Sequence, residues 1–390
     1  MEPASLYMNR AALQKNGVTL KIPPFNGSLD PPLRVAIIMP RGMFFGPEQA
    51  TSIDLCVRDF VGGSRFSKST TVFADSIARP FRDIDVELVP HSVRRTHALR
   101  IGWLWWRLRR SAPDVVVAHH HLPTAAWLAR LLPGVPVLFH VHNFIKAKAG
   151  RAHRHRVRQF GRLAGVICVS DAVRGAFERD YPQTTRAVTV HNGLDVGAWE
   201  PATARDRTIL LVARAAPVKG IREAVMALRE VLPRHPGWRA VLILSEKHVE
   251  PAFSAEIEAM AGKDGSIAIR WQLPFSEIKN ATEQAAIAMV PSVWEEPFGR
   301  TALEAHAGGA ALISSGTGGL REVSDDAAVY LSEVTATQLA AELEALIVDP
   351  DLRQTLGAKG LSRARVFDLL EVSKRLDAVY ESVKSSKART

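Results

Sequence analysis

The chain has few cysteines and no long apolar run. Only two of its 390 residues are cysteine, Cys56 and Cys168, and they lie far apart outside any CxxC pair. This excludes a disulfide framework and a cysteine-ligated zinc knuckle. No apolar stretch approaches the roughly 18 residues that a membrane-spanning helix needs, and the N-terminus lacks the pattern of a signal peptide. We therefore expect a cytoplasmic protein.

Acidic residues are scarce in one region of the first half. Between Leu88 and Ser170 there are fourteen Arg or Lys and a single acid, Asp114, while the whole chain carries a net charge of +10. Such a region predicts an anionic partner. A nucleic-acid-binding protein is one alternative, but no helix-turn-helix, zinc or RNP-type motif accompanies the charge, so we expect no nucleic-acid partner.

The apolar pattern predicts an α/β fold with two domains. From Leu33 onward, short continuous apolar runs alternate with helical patterns, which is typical of parallel sheets covered on both faces. The runs lie at 33–39, 115–118, 135–141 and 166–169, and then at 208–213, 240–244, 266–269, 286–290 and 310–314, and residues 84–89 form a further strand-like stretch. We predict two Rossmann-like, doubly wound domains that face each other across a cleft. Residues 1–32 form an N-terminal extension, 33–192 with a C-terminal helix over 369–390 form the first domain, and 193–368 form the second.

Two cations follow the first strand of the second domain. Arg214 ends the strand, and Lys219 precedes Gly220 at the start of a helix. Parallel sheets bind ligands at the carboxyl ends of their strands, where a pair of cations suits a diphosphate. The alternative is two solvated loop cations.

A second segment at a strand end runs from Pro291 to Glu304 and reads PSVWEEPFGRTALE. It leads into a helix whose free N–H groups between Phe298 and Thr301 predict an anion site. A carboxylate is unfavourable for a neighbouring phosphate, so we expect Glu304 to accept hydrogen bonds from sugar hydroxyls. The alternative is that Glu304 only interacts with the helix dipole.

Four motifs, in order along the chain, resemble those of glycosyltransferase family 4, whose members are retaining enzymes with the GT-B fold. Residues 296–305 (EPFGRTALEA) resemble its E-x7-E signature, and Arg214 and Lys219 match its diphosphate-binding pair. Residues 191–195 (HNGLD) resemble its interdomain N-G-V-D segment, and 318–323 (GGLREV) its G-G-x-x-E-V loop. Together the motifs are specific over 191–323, and the resemblance is looser from Leu33 onward.

The resemblance implies retaining transfer of a hexose from a UDP- or GDP-sugar to a glycan or lipid-linked acceptor, as in bacterial cell-surface polysaccharide or lipopolysaccharide synthesis. Arg214 and Lys219 would neutralise the diphosphate, Glu304 would bind the ribose, and Glu296 would meet the transferred sugar. The rest of the implied donor site is Gly46, Phe298, Gly299, Arg300 and Thr301. No metal and no cofactor besides the sugar nucleotide is implied. A sugar-nucleotide epimerase of the same fold is the alternative.

Two loops depart from the family pattern. The first loop usually contains a Gly-Gly pair, but residues 43–48 read MFFGPE, with Gly46 alone before Pro47. The strand ending at Leu244 runs into Ser245 and Glu246, where the family has a G-x-G turn.

Five histidines follow two strands of the first domain. They are His119, His120 and His121 after one strand, and His140 and His142 at the end of the next. The family often has a histidine at the position of His142 that faces the donor sugar, so His142 is implied as a catalytic residue. His119 and His120 are predicted to contact the acceptor or the donor sugar. A zinc site is the alternative, although no cysteine or paired carboxylate joins the histidines.

Residues 96–110 predict a helix with two apolar stripes. Ile101, Leu104, Trp105 and Leu108 form the stripe expected to face the sheet. The second stripe and the basic residues near it are predicted as a membrane or acceptor surface: Leu99, Trp103, Trp106, Arg100, Arg107 and Arg110, with Arg154 and Arg156 from the basic run over 146–158. Tryptophan beside arginine is favoured at lipid headgroups, so we predict peripheral docking on the inner face of the plasma membrane. The alternative is that both stripes are core and the cations are solvated or bind an acidic soluble acceptor.

Overall fold

The structure is a computed structural model that describes residues 32–387 except positions 44, 48–50, 76, 78 and 183. Of these, residues 33–387 belong to one compact unit. The predicted extension over 1–32 lies outside the described residues, apart from Pro32.

Seven parallel strands form the first sheet, in the order β3-β2-β1-β4-β5-β6-β7. They are β1 (Val35–Ile38), β2 (Thr70–Asp75), β3 (Asp85–Val89), β4 (Val115–His119), β5 (Val137–Val141), β6 (Gly165–Cys168) and β7 (Ala187–Thr189). Ala36 and Ile38 pack into one core layer, and Val35 and Ile37 into the other. Because both faces of β1 are buried, its sequence is continuously apolar rather than alternating.

Helices cover the faces of this first sheet. They are α1 (Ser52–Gly63), α2 (His97–Ser111), α3 (Leu122–Leu131), α4 (Gly150–Phe160) and α5 (Asp171–Asp180). Several begin at a side chain that caps their free N–H groups, such as Thr51 for α1, Thr96 for α2 and Ser170 for α5.

Six parallel strands form the second sheet, in the order β10-β9-β8-β11-β12-β13. They are β8 (Asp206–Arg214), β9 (Arg239–Ser245), β10 (Ile267–Trp271), β11 (Ala285–Val290), β12 (Ala311–Ser314) and β13 (Ala328–Tyr330). The helices that follow these strands are α6 (Ile221–Val231), α7 (Pro251–Ala261), α8 (Phe275–Gln284), α9 (Arg300–Ala307), α10 (Leu320–Ser324), α11 (Ala336–Val348) and α12 (Pro350–Ala364).

The chain returns to the first sheet at its end. Helix α13 (Leu369–Lys387) packs against α1, and its residues Val372, Leu376 and Tyr380 belong to the core layer that contains Val35 and Ile37 of β1. Among the described helices, none combines the length and the apolar character that crossing a bilayer requires.

The strand order of each sheet reverses once, and these switch points are where parallel sheets bind ligands. The reversal lies between β1 and β4 in the first sheet and between β8 and β11 in the second. Both ends of each strand predicted from an apolar run lie within two residues of the ends of an observed strand. The prediction missed β2, β7 and β13, because β7 and β13 are three-residue edge strands and β2 begins with two threonines.

Candidate functional site

A cavity of about 530 Å³ is lined by residues of both domains, a size within the range of small-ligand sites. Most of these residues follow the carboxyl ends of strands. The first domain contributes Met43, Thr51, Ser52, Ile53, Leu55, Cys56, His120, His142, Asn143 and Asn192, and the second contributes residues at the ends of β8, β9 and β11 and in the segments after β8, β9, β10 and β11. The cavity therefore joins the two switch points.

The loop after β8 lies directly on the loop after β11. Gly220, with φ of +66°, ends the turn that carries Lys219, and a Cβ at Gly220 would lie 2.0 Å from the carbonyl oxygen of Pro291. The Val293 N–H donates to the carbonyl of Val218 at 2.9 Å. Only glycine permits this approach, which brings Lys219 to the segment before α9.

Lys219 and Glu296 form a largely buried ion pair at the cavity wall. The Lys219 Nζ lies 2.5 Å from Glu296 Oε1, and the Ser292 hydroxyl donates to the same oxygen at 2.6 Å. The ammonium also lies 5.3 Å from the centre of the Trp294 ring, whose buried Nε1 has no partner among the described residues. The wall thus presents a fixed cation beside an unpaired N–H donor.

Arg214 ends β8 at the same cavity with a more accessible guanidinium. Its Nη1 lies 3.3 Å from Glu246 Oε2, and the side chains are 50% and 41% exposed. Because surface pairs of this kind contribute little stability, Arg214 can exchange Glu246 for an anionic ligand.

Helix α9 begins at the cavity with no side chain that caps it. Its N-cap, Gly299, has φ of +105°. The helix N-terminus therefore leaves backbone N–H groups available for an anion or a sugar oxygen. Phe298, Gly299, Arg300, Thr301 and Glu304 all line the cavity, so the structure brings this predicted group together with Arg214 and Lys219.

The glycine-rich loop, which contains Gly318 and Gly319, packs against the backbone of the segment that carries Glu296. The Gly319 N–H donates to the Glu296 carbonyl at 2.8 Å, and a Cβ at Gly318 would lie 2.2 Å from that oxygen. The two glycines therefore let the loop contact the backbone of the Glu296 segment and do not themselves line the cavity.

Arg300 joins the two domains beside the cavity. Its Nε donates to Glu304 Oε1 at 2.9 Å, and its Nη1 donates to Asp59 of α1 at 3.0 Å. Burial raises the pKa of Glu304, and the Arg300 charge partly offsets this rise. Burial alone would lower the pKa of Arg300, but its neighbours Cys56, Glu304 and Asp59 together raise it. The guanidinium of Arg300 is already paired with two carboxylates. We therefore expect Arg300 to contact the donor mainly through its backbone N–H group.

A second interdomain contact comes from Glu322 in α10. Its carboxylate accepts from the backbone N–H groups of Asp171 and Ala172 at 2.7 and 2.6 Å, at the first turn of α5. His191 Nε2 lies 3.1 Å from the same carboxylate. A negative charge is favourable at a helix N-terminus, so Glu322 links the glycine-rich loop to the first domain.

Three of the histidines pack into a buried cluster. His119 Nδ1 lies 2.8 Å from His142 Nε2, and the rings of His140 and His142 stack with centroids 4.6 Å apart. Burial, and then the neighbouring imidazoles, lowers the pKa of His119, His140 and His142 well below the usual value, so all three are neutral. His119 Nε2 and both ring nitrogens of His140 have no partner in the described part of the chain.

Only part of the predicted histidine set reaches the cavity. His120 and His142 line it, whereas His119 lies behind His142 and does not. The prediction of a direct sugar or acceptor contact for His119 is therefore wrong, because its ring is buried against His142 and His140. His121 caps α3 instead, and burial lowers its pKa to about 4.

Gly46 also lies away from the cavity. A Cβ at Gly46 would lie 2.3 Å from the carbonyl oxygen of Arg79, so this glycine serves the packing of the first loop. Met43 of the same loop lines the cavity and Gly46 does not, so the donor contact of Gly46 stays a prediction.

Two groups of described residues bring three possible metal ligands within 4.8 Å of one another. One is His119, His140 and His142, and the other is Asp171, His191 and Glu322. In the second group the Glu322 carboxylate is already bound by two backbone N–H groups and His191. The first group keeps the unpaired ring nitrogens that a metal would need.

The predicted surface on α2 is smaller than expected. Leu99 and Trp106 are 53% and 45% exposed, and Arg110 lies over the Trp106 ring at 4.8 Å. Trp103 instead packs edge-on against Phe73 in the core.

Three arginines of this predicted surface have other partners. Arg100 is fully buried, with its Nε 3.1 Å from Asp75 Oδ1, so its placement on the surface is wrong. Arg107 pairs with Glu87, and Arg156 donates to the Lys146 carbonyl and the Tyr181 hydroxyl. Arg154 is exposed. The remaining exposed surface therefore consists of Leu99, Trp106, Arg110 and Arg154.

Several cavity residues were not predicted from the sequence. They are Met43, Cys56, Asn143, Asn192, Glu246, Ser292 and Trp294. The departure from a G-x-G turn at Glu246 was a signal that could have identified that position. Asp59, by contrast, acquires its role only through the domain contact with Arg300.

Two family models match the chain. One, described as glycosyl transferases group 1, matches residues 200–363, and the other, glycosyltransferase family 4, matches residues 69–197. The alpha-maltose-1-phosphate synthase of Mycolicibacterium smegmatis is 26% identical over 297 residues, which cover 70% of this chain and 73% of that protein. The D-inositol 3-phosphate glycosyltransferase of Thermobispora bispora is 26% identical over 300 residues, which cover 68% and 70%.

Solved structures share the architecture at low sequence identity. Anabaena HepE in complex with UDP and glucose has a TM-score of 0.73 at 16% identity, covering 90% of this chain and 100% of that one. The sucrose-phosphate synthase of Thermosynechococcus elongatus gives the same TM-score, identity and coverage. This similarity confirms the predicted GT-B fold.

Proposed function

Because the chain belongs to the family 4 glycosyltransferases, with a group 1 domain over residues 200–363, we propose that it is a retaining hexosyltransferase. The donor is a UDP- or GDP-sugar, and the acceptor is a glycan or a lipid-linked glycan. The reaction belongs to the synthesis of a bacterial cell-surface polysaccharide or lipopolysaccharide.

The observation that carries this proposal is the grouping of charges at one cavity. Arg214, Lys219 and the uncapped start of α9 all face it, and Glu304 lies on the first turns of the same helix. Two cations and a helix N-terminus stabilise the negative charge that develops on a departing diphosphate, which requires no metal ion. Glu304, with Arg300 as its counter-ion, accepts hydrogen bonds from the ribose hydroxyls.

His142 is the group of the first domain that meets the donor sugar. It lines the cavity, and the 2.8 Å contact with His119 fixes the orientation of its neutral ring. Retention in this fold occurs by attack from the face of the leaving group, where the departing phosphate oxygen accepts the proton of the acceptor hydroxyl. His142 then positions the sugar by hydrogen bonding and does not need to act as a base.

An anionic acceptor suits the basic first domain. The matched relatives include a D-inositol 3-phosphate glycosyltransferase and an alpha-maltose-1-phosphate synthase, and both names refer to a sugar or inositol phosphate. A lipid-linked glycan on a diphosphate has the same chemistry. Leu99, Trp106 and Arg110 would place the first domain at an anionic bilayer, where each cation contributes about 1 kcal/mol.

Product analysis tests the transfer reaction. Purified protein is incubated with radiolabelled UDP- and GDP-hexoses and a membrane extract, and the anomeric configuration of the product is measured by NMR. Acceptor-dependent release of the nucleoside diphosphate with an α-linked product from an α-linked donor is the expected result. Inversion would refute the retaining mechanism, and conversion of the donor to an isomer without acceptor would indicate an epimerase.

Liposome flotation tests the membrane part separately. The protein should float with vesicles that contain phosphatidylglycerol at low salt, and Trp106→Ala should reduce the bound fraction. Trp127→Ala is the matched control, because Trp127 is exposed to a similar extent (47%) on α3. If anionic vesicles do not bind the protein, or if both variants behave alike, membrane docking through α2 is wrong.

A further inference from the structure

Two residues at the carboxyl edge of the second sheet have an unusual backbone conformation. Glu246 follows β9 with φ of +60°, and Gln272 follows β10 with φ of +49°. Both line the cavity. Residues other than glycine are strained in this left-handed region, and strained residues cluster at ligand sites.

The register of the sheet orders these residues along the cavity. Arg214 at the end of β8 pairs with Ser245, and Leu244 pairs with Trp271. Glu246 therefore lies one position beyond the partner of Arg214, and Gln272 lies beyond that of Leu244. Moving across the sheet from β8 to β10, the cavity edge presents a cation, then a carboxylate, then an amide.

Four apolar residues of the cavity lining are close in sequence to Glu246 and Gln272, and we call the part of the cavity that they line the slot. Its lining residues are Ile243, Leu273, Phe275 and Ile278, and Phe275 is 41% exposed. Ile243, Leu273 and Ile278 belong to one small apolar cluster under the slot. A slot with apolar walls and a polar rim suits a planar heterocycle.

The Glu246 carboxylate needs a partner other than the diphosphate. Next to phosphate its charge is repulsive, and the ribose hydroxyls are assigned to Glu304 on the opposite side of the switch point. The Glu246 carboxylate lies 3.3 Å from Arg214 Nη1, and both side chains are about half exposed. A diphosphate that binds Arg214 can therefore replace Glu246 as the partner of the guanidinium. The nucleobase remains as the group for a freed carboxylate at the rim of the slot.

We propose that Glu246, at the rim of the slot, selects guanine as the nucleobase of the donor. Guanine presents two adjacent N–H donors, at N1 and N2, which match the two oxygens of a carboxylate. Uracil presents a single N–H between two carbonyl oxygens, which a carboxylate repels. The Gln272 amide can donate to guanine O6, next to N1. This inference rests on the proposed function and specifies its donor as a GDP-sugar.

Calorimetric titration with GDP and with UDP tests the assignment. The wild type should bind GDP at least about tenfold more tightly than UDP, the scale of one bidentate contact to a base. Glu246→Gln should lose about tenfold in GDP affinity and leave UDP affinity unchanged or improved. Glu256→Gln is the matched control: it removes one charge from an exposed pair with Arg222, at 2.6 Å, outside the cavity.

Opposite outcomes separate the possible roles of Glu246. If Glu246→Gln binds GDP and UDP more tightly by the same factor, Glu246 is only a counter-ion of Arg214 and the proposal is wrong. A wild-type preference for UDP overturns it as well. Failure of the wild type to bind either nucleotide would instead refute the proposed function itself. Glu246→Gly, which relieves the backbone strain, should fold and should also lose the preference for GDP.

Discussion

Removal of the Lys219 ammonium should reduce catalysis strongly. Lys219 is 16% exposed at the cavity wall, and we propose that it stabilises the charge on the departing diphosphate. Loss of one such group costs about 2–4 kcal/mol of transition-state stabilisation. Lys219→Ala should therefore lower kcat/KM by about 30- to 1000-fold.

The same substitution also removes the partner of a buried carboxylate. Glu296 is 10% exposed, and among the described residues only the Ser292 hydroxyl would remain as a donor to its carboxylate. We expect the free energy of unfolding to fall by about 1–3 kcal/mol, the cost of leaving a buried polar group without its partner. Adding Glu296→Gln should recover most of this stability, because the uncompensated charge is gone, but should not recover activity.

A second lysine provides the control. Lys279 pairs with Glu283 at 2.6 Å and lies 5.8 Å from the Trp199 ring centre, an environment similar to that of Lys219, but its side chain does not line the cavity. Lys279→Ala should change stability and leave the kinetic constants near those of the wild type. Kinetics of nucleotide release and urea denaturation measure the two effects. If Lys219→Ala retains near-normal turnover, the diphosphate assignment is refuted.

Three further predictions concern other charged or buried groups. Glu304→Gln should weaken the binding of free nucleoside diphosphate by about 1.5–3 kcal/mol in calorimetry, and unchanged affinity would mean that Glu304 only holds Arg300. Glu322→Gln should lower the free energy of unfolding by about 1 kcal/mol, because the α5 N-terminus loses its negative charge; equal urea midpoints would contradict that contact. The lowered pKa values of His119, His140 and His142 mean that the unfolded chain binds more protons below about pH 6.5. Stability should therefore be full above that pH and fall as the pH drops, by at most about 1.4 kcal/mol per pH unit for each histidine, and equal stability at pH 7.5 and 5.5 would contradict their burial.

The second half of the chain was the more predictable half. Continuous apolar runs located its strands, and the residues from Lys219 to Glu304 follow strand ends that the doubly wound topology brings together. The helix predicted to start at Gly220 is α6, and the helix predicted to have free N–H groups between Phe298 and Thr301 is α9. Local sequence therefore determined most of the site in this domain.

Contacts between distant elements could not be predicted. Arg100 lies among exposed residues in the helical pattern, yet Asp75 and the Met39 carbonyl, both from strand ends, bury it. Arg300 forms an ion pair with Asp59 in the other domain. Helical periodicity describes one helix at a time, so it does not reveal a partner that the tertiary fold supplies.

The central claim is that the cavity between the domains binds a nucleoside diphosphate through Lys219 and Arg214. Thermal unfolding in the presence of GDP and UDP tests it most directly, since a ligand at 100 times its Kd stabilises the folded state by about 2.7 kcal/mol. At least one of the two should raise the Tm of the wild type in a concentration-dependent way and leave that of the Lys219→Ala, Arg214→Ala double variant unchanged. A Tm that neither nucleotide changes in the wild type, or an equal shift in the double variant, would contradict the account.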